Sequence, residues 1–249
     1  MKSTHILGLV AFAALPSHAA TVAFGSAQGF SNASVLDTPY EAGYTFVSAM
    51  NIGDIGKSFT TPGGNSIAFA AGQGAAVLGN ADMPAGAGGS TGFYNGGTQW
   101  NFGIFPGTTG IVQFDDVLRG NTWHNNSSDA TRPLALRLSG LSIGETYVVY
   151  LYSADARQND RSQAYWSGFS GGTFSGGTSG SFPQTGPAVV SGTFTADALY
   201  QDIFVQETDG IGNDDTHLAA FTLYQVPEPS SALLLAGTCL LFGFCRRRP

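Results

Sequence analysis

Apolar and polar residues alternate in short runs along most of the chain, and Gly, Asn, Asp and Ser separate the runs. Helical periodicity is almost absent between residues 21 and 225. Alternation with a period of two, punctuated by turn residues, is typical of an all-β sandwich. The pattern predicts ten strands: Tyr44–Ala49, Ser66–Ala70, Thr98–Phe105, Ile111–Phe114, Leu134–Leu138, Thr146–Ser153, Ala164–Phe169, Val189–Thr195, Gln201–Val205 and Leu218–Tyr224.

Two of these segments also indicate how their faces are buried. Leu134–Leu138 carries leucine at every second position, so we expect a buried leucine face and a wet face with Ala135 and Arg137. Tyr147–Tyr152 is apolar on both faces, which predicts a central strand.

The first 19 residues have the pattern of a secretory signal peptide. Lys2 precedes the apolar run Ile6–Leu15, and small residues at Ser17 and Ala19 fit a cleavage site. Cleavage is expected after Ala19, or else after Ala20.

The other end of the chain, residues 226–249, predicts a membrane segment. The uncharged run Ala232–Cys245 is short against the roughly 20 residues that a straight helix needs to cross a bilayer. Pro227 and Pro229 favour a sharp helix start, and the three terminal arginines are of the kind found on the cytoplasmic side. A C-terminal amphipathic helix docked on the domain is the alternative, but the run has no polar face.

The order of these parts resembles the PEP-CTERM protein-sorting tail of exported proteins from Gram-negative bacteria that make exopolysaccharide. That resemblance implies recognition and processing by exosortase, a membrane cysteine peptidase. It also implies anchoring in the inner membrane before processing, then location at the cell surface or in the extracellular matrix. On this reading the sorting motif consists of Val226, Pro227, Glu228 and Pro229, followed by the stop at Arg246, Arg247 and Arg248.

The segment between the ends, residues 20–225, is expected to form one β-sandwich domain. Leu138–Tyr147 resembles the turn before a tyrosine corner, in which a phenol bonds back to the upstream backbone. The same phrase is similar to jelly-roll domains carried by PEP-CTERM proteins of this size. We expect a jelly-roll-like, galactose-binding-like sandwich, with an elaborated fibronectin-like or immunoglobulin-like sandwich as the alternative.

Composition narrows the environment of that domain. Both cysteines, Cys239 and Cys245, lie in the apolar tail, so the exported domain has no disulfide. Residues 20–225 carry six basic and sixteen acidic side chains, a net charge of −10. Such a surface repels nucleic acid and favours cations.

Two glycine-rich stretches are expected to be loops. Phe169–Thr173 repeats at once as Phe174–Thr178, and this pair predicts a flexible loop or linker, with a glycine-rich adhesive element as the alternative. Residues 84–97 form the second stretch.

One acidic loop is a candidate calcium site. Residues 209–215 combine glycine with several oxygen ligands of the kind that Ca²⁺ accepts, although the spacing does not match an EF-hand. The ligands would be Asp209, Asn213, Asp214 and Asp215. A solvated acidic turn is the alternative, and no other cofactor is indicated.

Exposed aromatic residues are the candidates for sugar binding, because a flat ring suits the apolar face of a pyranose. Trp123, in a polar loop, and the neighbours Tyr165 and Trp166 fit this role, with core packing as the alternative. No catalytic motif is present, although Asp115 and Asp155 could form the carboxylate pair of a glycosidase.

These features favour a non-catalytic, sorted envelope or matrix protein that binds extracellular polysaccharide. A purely structural matrix protein and a secreted polysaccharide-acting enzyme are the alternatives.

Overall fold

The computed structural model describes residues 20–53, 55–72, 92–94, 99–101, 107–125, 134–154, 161–170, 172–208 and 215–228. These residues are mostly strand, arranged in two large sheets and one small sheet. The prediction of an all-β sandwich is confirmed.

The larger sheet is built around the strand that is apolar on both faces. Its order is β1 (Ala23–Phe24), β14 (Ala188–Thr195), β10 (Thr146–Ser153), β17 (Ala220–Gln225), β3 (Thr45–Asn51), β5 (Ser66–Ala71) and β4 (Lys57–Thr60), and β2 (Gln28–Gly29) also pairs with β14. All of these pairings are antiparallel except β3 with β5.

A six-stranded sheet forms the second layer. Its order is β12 (Thr173–Thr178), β11 (Ser162–Ser170), β15 (Tyr200–Glu207), β9 (Leu134–Ser139) and β6 (Gly92–Tyr94), and β13 (Phe182–Pro183) pairs with β11. A small sheet contains β16 (Asp215–Leu218), β8 (Gly120–Asn125) and β7 (Gln99–Asn101). The described residues also form a 3₁₀ turn (Ala33–Leu36) and the helices α1 (Thr38–Glu41) and α2 (Val112–Arg119).

Alternation along the strands creates two separate cores. Val149 and Leu151 of β10 point between the two large sheets, where they meet Leu136 of β9 and Ile203 of β15. Tyr152 points to the opposite face of β10, towards α2. The central position predicted for Tyr147–Tyr152 is therefore confirmed, since both faces of β10 are covered.

Helix α2 replaces the strand that the sequence predicted at Ile111–Phe114. That prediction is wrong because Phe114, Val117 and Leu118 follow the i, i+3, i+4 spacing of a helix face, and all three are fully buried. Phe114 packs against four aromatic rings with centroid distances of 5.7–6.0 Å: Phe30, Phe59, Phe69 and Tyr152.

The glycine-rich repeat is a hairpin, so its prediction as a flexible loop is wrong. β11 and β12 pair through Phe169 with Phe174 and through Ser170 with Thr173. Gly172, which directly precedes Thr173, has a φ of +80°, which suits a tight two-residue turn. Of the second predicted loop, residues 84–97, only residues 92–94 are described, and they form β6.

The predicted tyrosine corner is present. The Tyr147 hydroxyl accepts a hydrogen bond from the Ser142 backbone N–H at 2.9 Å. Its ring also stacks on Phe194 of the neighbouring strand at 5.7 Å. The turn before β10 is thus fixed by a contact that the local sequence alone indicated.

The residues that follow the predicted signal-peptide cleavage site lie within the sandwich. Val22 is fully buried in the core between the sheets, and a Cβ on Gly177 of β12 would lie 1.9 Å from the Val22 carbonyl oxygen. Only glycine permits this approach, so the first described residues close one edge of the sandwich.

Asp37 joins α1 to the loop between β4 and β5. Its carboxylate accepts hydrogen bonds from the Thr61 hydroxyl, from Gly63 N at 2.7 Å and from Asn65 Nδ2 at 2.8 Å. Burial alone would raise the pKa of Asp37, but these three hydrogen bonds outweigh it and hold the pKa below its ordinary value.

This lowered pKa predicts acid sensitivity. A depressed folded-state pKa gives stability that is present above the unfolded value of about 3.9 and is lost as the pH falls through the folded value. We expect the free energy of unfolding of wild type to fall below about pH 4 more steeply than that of Asp37→Asn. Urea denaturation between pH 3 and 7 measures both slopes, and equal slopes would contradict the prediction.

Candidate functional site

Four aromatic side chains form a continuous row on the outer face of the six-stranded sheet. We call Trp166, Phe169, Phe174 and Phe204 the aromatic row. The ring centroids lie 6.0 Å apart for Trp166 and Phe174, 5.0 Å for Phe169 and Phe174, and 5.8 Å for Phe169 and Phe204. Trp166, Phe169 and Phe174 are half-buried, whereas Phe204 is buried.

Two members of the row come from β11, next to an irregularity in its pairing with β12. Trp166 and Phe169 are three positions apart, and in a regular strand they would point to opposite faces. The register against β12 shifts between Trp166 and Gly168. Between the pairs Trp166–Thr178 and Gly168–Ser175, β12 contains one residue more than β11, and both β11 rings pack on Phe174.

Trp166 presents its ring rather than its N–H group to the outside. The side chain as a whole is half-buried, but the indole Nε1 is buried and has no acceptor among the residues that the structure describes. The accessible part of the side chain is therefore hydrocarbon, which suits stacking.

An ion pair lies on the same face, two residues along β9 and β15 from the paired residues Ala135 and Phe204. Arg137 donates from Nε and Nη2 to the two carboxylate oxygens of Asp202, each at 2.7 Å. The guanidinium carbon also lies 4.1 Å from the ring centroid of Tyr200. Arg137 is 2% exposed and Ala135 is fully buried, so the wet face predicted for them is wrong.

Tyr165 does not belong to the row. It is fully buried in the core between the sheets, on the opposite face of β11 from Trp166. Gln163 Nε2 donates to its hydroxyl at 3.2 Å, and burial raises the pKa of the phenol. The prediction of Tyr165 as a sugar-stacking residue is wrong because its ring does not reach the surface.

Buried polar side chains link the sheets near Tyr165. Gln163 Nε2 donates to the Ser153 hydroxyl and to the His217 carbonyl, while Gln163 Oε1 accepts from His217 N and from Gln184 Nε2. His217 is fully buried in β16. This network satisfies backbone groups where β16 approaches β11, which is a structural task.

Trp123 lies in β8, where the sequence predicted a polar loop. It pairs in register with His217 of β16. The structure therefore places Trp123 in the small sheet and Trp166 in the six-stranded sheet, and only the backbone of Trp123 is described.

The proposed calcium loop falls almost entirely outside the described residues. Asp209, Asn213 and Asp214 are outside them, and Asp215 begins β16 opposite Asn125. In the described ranges, no three His, Cys, Asp or Glu side chains are grouped as metal ligands.

The Asp115 side chain stabilises the loop that leads into α2. Its carboxylate is fully buried and accepts from Gly107 N at 2.6 Å and from Thr109 N at 2.9 Å. This geometry removes Asp115 from the role of a catalytic carboxylate, and its proposed partner Asp155 lies outside the described residues.

A cavity of about 270 Å³ opens at the sandwich edge near β2, β13 and the start of β14. Its lining contains no ionisable side chain: Ala27, Gly29, Phe182, Pro183, Thr185, Gly186, Pro187 and Ala188. It therefore offers shape but no charged group for catalysis.

The sorting motif begins where β17 ends. Val226 N donates to the Thr146 carbonyl at 2.9 Å, and Pro227 and Glu228 are exposed. Pro229, the apolar run and Arg246–Arg248 lie outside the described residues, as do the predicted signal residues 1–19. Within the described part, none of the helices has the length and hydrophobicity to span a membrane.

Several solved structures are similar to the chain at low sequence identity. A calcium-binding mutant of Bacteroides uniformis beta-glucuronidase 2 is 15% identical, with a TM-score of 0.45, over 72% of this chain and 18% of that one. The ANX2 ectodomain from Arabidopsis thaliana is 13% identical, with a TM-score of 0.48, over 74% and 50%. The ANXUR1 extracellular domain from the same plant is 12% identical, with a TM-score of 0.48, over 73% and 48%.

The chain thus spans less than a fifth of the glucuronidase and about half of the two plant proteins. No curated protein matches the sequence. The PEP-CTERM protein-sorting motif matches residues 225–248, and this motif indicates an exported protein that exosortase sorts.

Proposed function

We propose that the protein is a non-catalytic envelope or matrix component whose sandwich binds extracellular polysaccharide through the aromatic row. The sorting motif supports a destination outside the cell. The observation that carries the proposal is the row itself, since three neighbouring aromatic side chains stay half-exposed on one sheet face.

Physical chemistry favours a ligand on this row. Aromatic rings contribute strongly when they are buried, and a protein without a partner for them gains by covering them completely. A pyranose ring has an apolar face that covers an indole ring and hydroxyl groups that stay in water. The acidic surface of the domain disfavours polyanionic ligands, so a neutral or cationic polysaccharide fits best.

Pull-down on exopolysaccharide extracted from the cells that make the protein tests this proposal. Trp166→Ala is expected to bind about tenfold more weakly, because the lost stacking contact is of the order of 1.4 kcal/mol. Trp166→Phe keeps a flat ring and should retain most of the binding. Val112→Ala, an exposed apolar position on α2, is the matched control and should bind like wild type.

The outcomes separate the three functions. Wild-type protein that is folded and sorted but binds no polysaccharide would favour a purely structural matrix protein. Release of soluble sugar during the incubation would favour the enzyme. Equal binding by Trp166→Ala and wild type would remove the aromatic row from the proposal.

A further inference from the structure

Two hydrogen-bonded turns surround the point at which the sorting tail leaves the sandwich. The turn before β10 and the turn before β15 are joined by three backbone hydrogen bonds: Leu141 N to Leu199 O at 3.2 Å, Gly144 N to Ala196 O at 2.8 Å and Ala196 N to Glu145 O at 2.9 Å. Gln225, at the end of β17, donates from Nε2 to Glu145 Oε2 at 2.7 Å. We call residues 142–145 and 196–199 the tail-exit face.

The sorting motif cannot move far from this face. Val226 is still bonded to the backbone of Thr146, and Pro227 follows directly. Three residues span at most about 10 Å when extended, so the whole Pro227–Pro229 element stays within that distance of the last strand. An enzyme that holds the motif is therefore brought close to the tail-exit face.

The chemistry of the face suits a protein partner. Ile143 is 63% exposed and Leu199 is 45% exposed, and only Val47, at 41%, and Val112, at 63%, are comparable among the large apolar side chains of the described part. Asp197 and Glu228 are exposed, Glu145 is half-buried, and neither turn contains Lys or Arg. The surface thus combines two apolar side chains with an acidic rim.

We propose that the tail-exit face docks on the peptidase that processes the tail, which presents a basic and apolar surface to it. This inference rests on sorting by exosortase, as indicated by the motif. The acidic rim disfavours the other occupants: anionic lipid headgroups repel acidic side chains, and a second copy would oppose like charges. A peptidase surface that carries basic residues satisfies both the apolar and the acidic parts.

Processing of the full chain in cells that contain the peptidase tests the docking. The double variant Ile143→Ser/Leu199→Ser is expected to be processed about tenfold more slowly, as for truncation of apolar residues at the centre of an interface. Val112→Ser, which is equally exposed but lies on α2, should be processed at the wild-type rate. Pulse-chase labelling with mass measurement of the product reports each rate.

A motif variant separates failure of docking from failure of sorting. Glu228→Gln/Pro229→Ala should leave the tail unprocessed. If this variant is processed normally, exosortase sorting through the motif is itself wrong. If it is unprocessed while the Ile143→Ser/Leu199→Ser variant matches wild type, sorting stands and the docking face is wrong.

A photocrosslinking side chain at position 143 identifies the occupant without depending on the serine variants. In membranes from the same cells, a crosslink to the peptidase supports the proposal, and the same group at position 112 should give none. Crosslinks at position 143 only to lipid or only to a second copy of the chain would overturn it.

Discussion

Replacing Asn51 with aspartate is expected to lower the free energy of unfolding by about 4 kcal/mol, a loss of the size seen when a buried hydrogen-bond network is broken. Asn51 is fully buried at the end of β3. Its Nδ2 donates to the carbonyl oxygens of Val117 at 2.6 Å, Gly120 at 2.5 Å and Ala219 at 2.9 Å. Aspartate has the same shape but turns a donor that faces three acceptors into a fourth acceptor with a negative charge.

The position of Asn51 explains why the effect should be global. The three carbonyls belong to α2, to the start of β8 and to the junction between β16 and β17, so one amide joins the helix to two sheets. Its Oδ1 also accepts from Ile55 N at 3.1 Å. Space around the amide is minimal, since a Cβ on Gly120 would lie 3.0 Å from Asn51 Oδ1.

Urea denaturation at pH 7 measures the effect against two controls. Asn51→Ala removes the donors without adding charge and should lose less, about 2–3 kcal/mol. Asn32→Asp makes the same chemical change at an exposed helix cap, where the side-chain oxygen already accepts from Ser34 N at 3.0 Å. It should be nearly neutral, because Asp and Asn are equally good caps. If the free energy of unfolding of Asn51→Asp lies within 1 kcal/mol of the wild-type value, the Asn51 side chain does not have this stabilising role.

Local patterns were sufficient to predict the central strand and the tyrosine corner. Residues 147–152 are apolar on both faces, which indicates burial on both sides, and the phenol of Tyr147 bonds only five residues upstream. In both cases the signal lies within a short stretch of the sequence. The strands that were predicted correctly are of the same kind, with regular alternation between clear turn residues.

The elements that were predicted wrongly depend on contacts between residues that are far apart in the sequence. Arg137 looks like a solvent-facing residue, and only the pairing of β9 with β15 brings it to Asp202, 65 positions away. The glycine-rich hairpin is stabilised by the ring of Phe204, which comes from a different part of the chain. The Gly-Gly dipeptide at residues 171–172 was the available signal, because it is typical of a two-residue hairpin turn.

The candidate site was predicted in one of its four residues. Trp166 was identified as an aromatic residue on a strand, but its neighbour Tyr165 was given the same role although adjacent residues point to opposite faces. Sequence alternation does not say which face is the core when both neighbours are aromatic. Phe169 joins the row beside the irregular pairing of β11 with β12, which the alternation pattern does not predict.

Replacing Arg137 with leucine is expected to cost about 3–5 kcal/mol at pH 7, since it leaves the buried Asp202 carboxylate without its cation. Both oxygens of Asp202 accept from this guanidinium, and the carboxyl group is only 8% exposed as a residue. Burial raises the pKa of Asp202 even in the wild type, where Arg137 opposes that rise. Without Arg137 the pKa should rise further.

The sign of the pH dependence follows from that rise. A folded-state pKa above the unfolded value means that the folded form binds the proton more tightly, so the variant gains stability as the pH falls through the raised pKa. We therefore expect the gap between Arg137→Leu and wild type to narrow from pH 7 to pH 5. Urea midpoints at the two pH values measure it.

The double variant Arg137→Leu/Asp202→Leu separates the lost charge pair from the lost packing. Replacement of a whole buried pair by apolar side chains is often neutral or stabilising, so the double variant should recover most of the stability at pH 7. If it is as unstable as Arg137→Leu at both pH values, the loss comes instead from the contact between the guanidinium and the Tyr200 ring. Recovery would mean that the pair is retained for a reason other than stability.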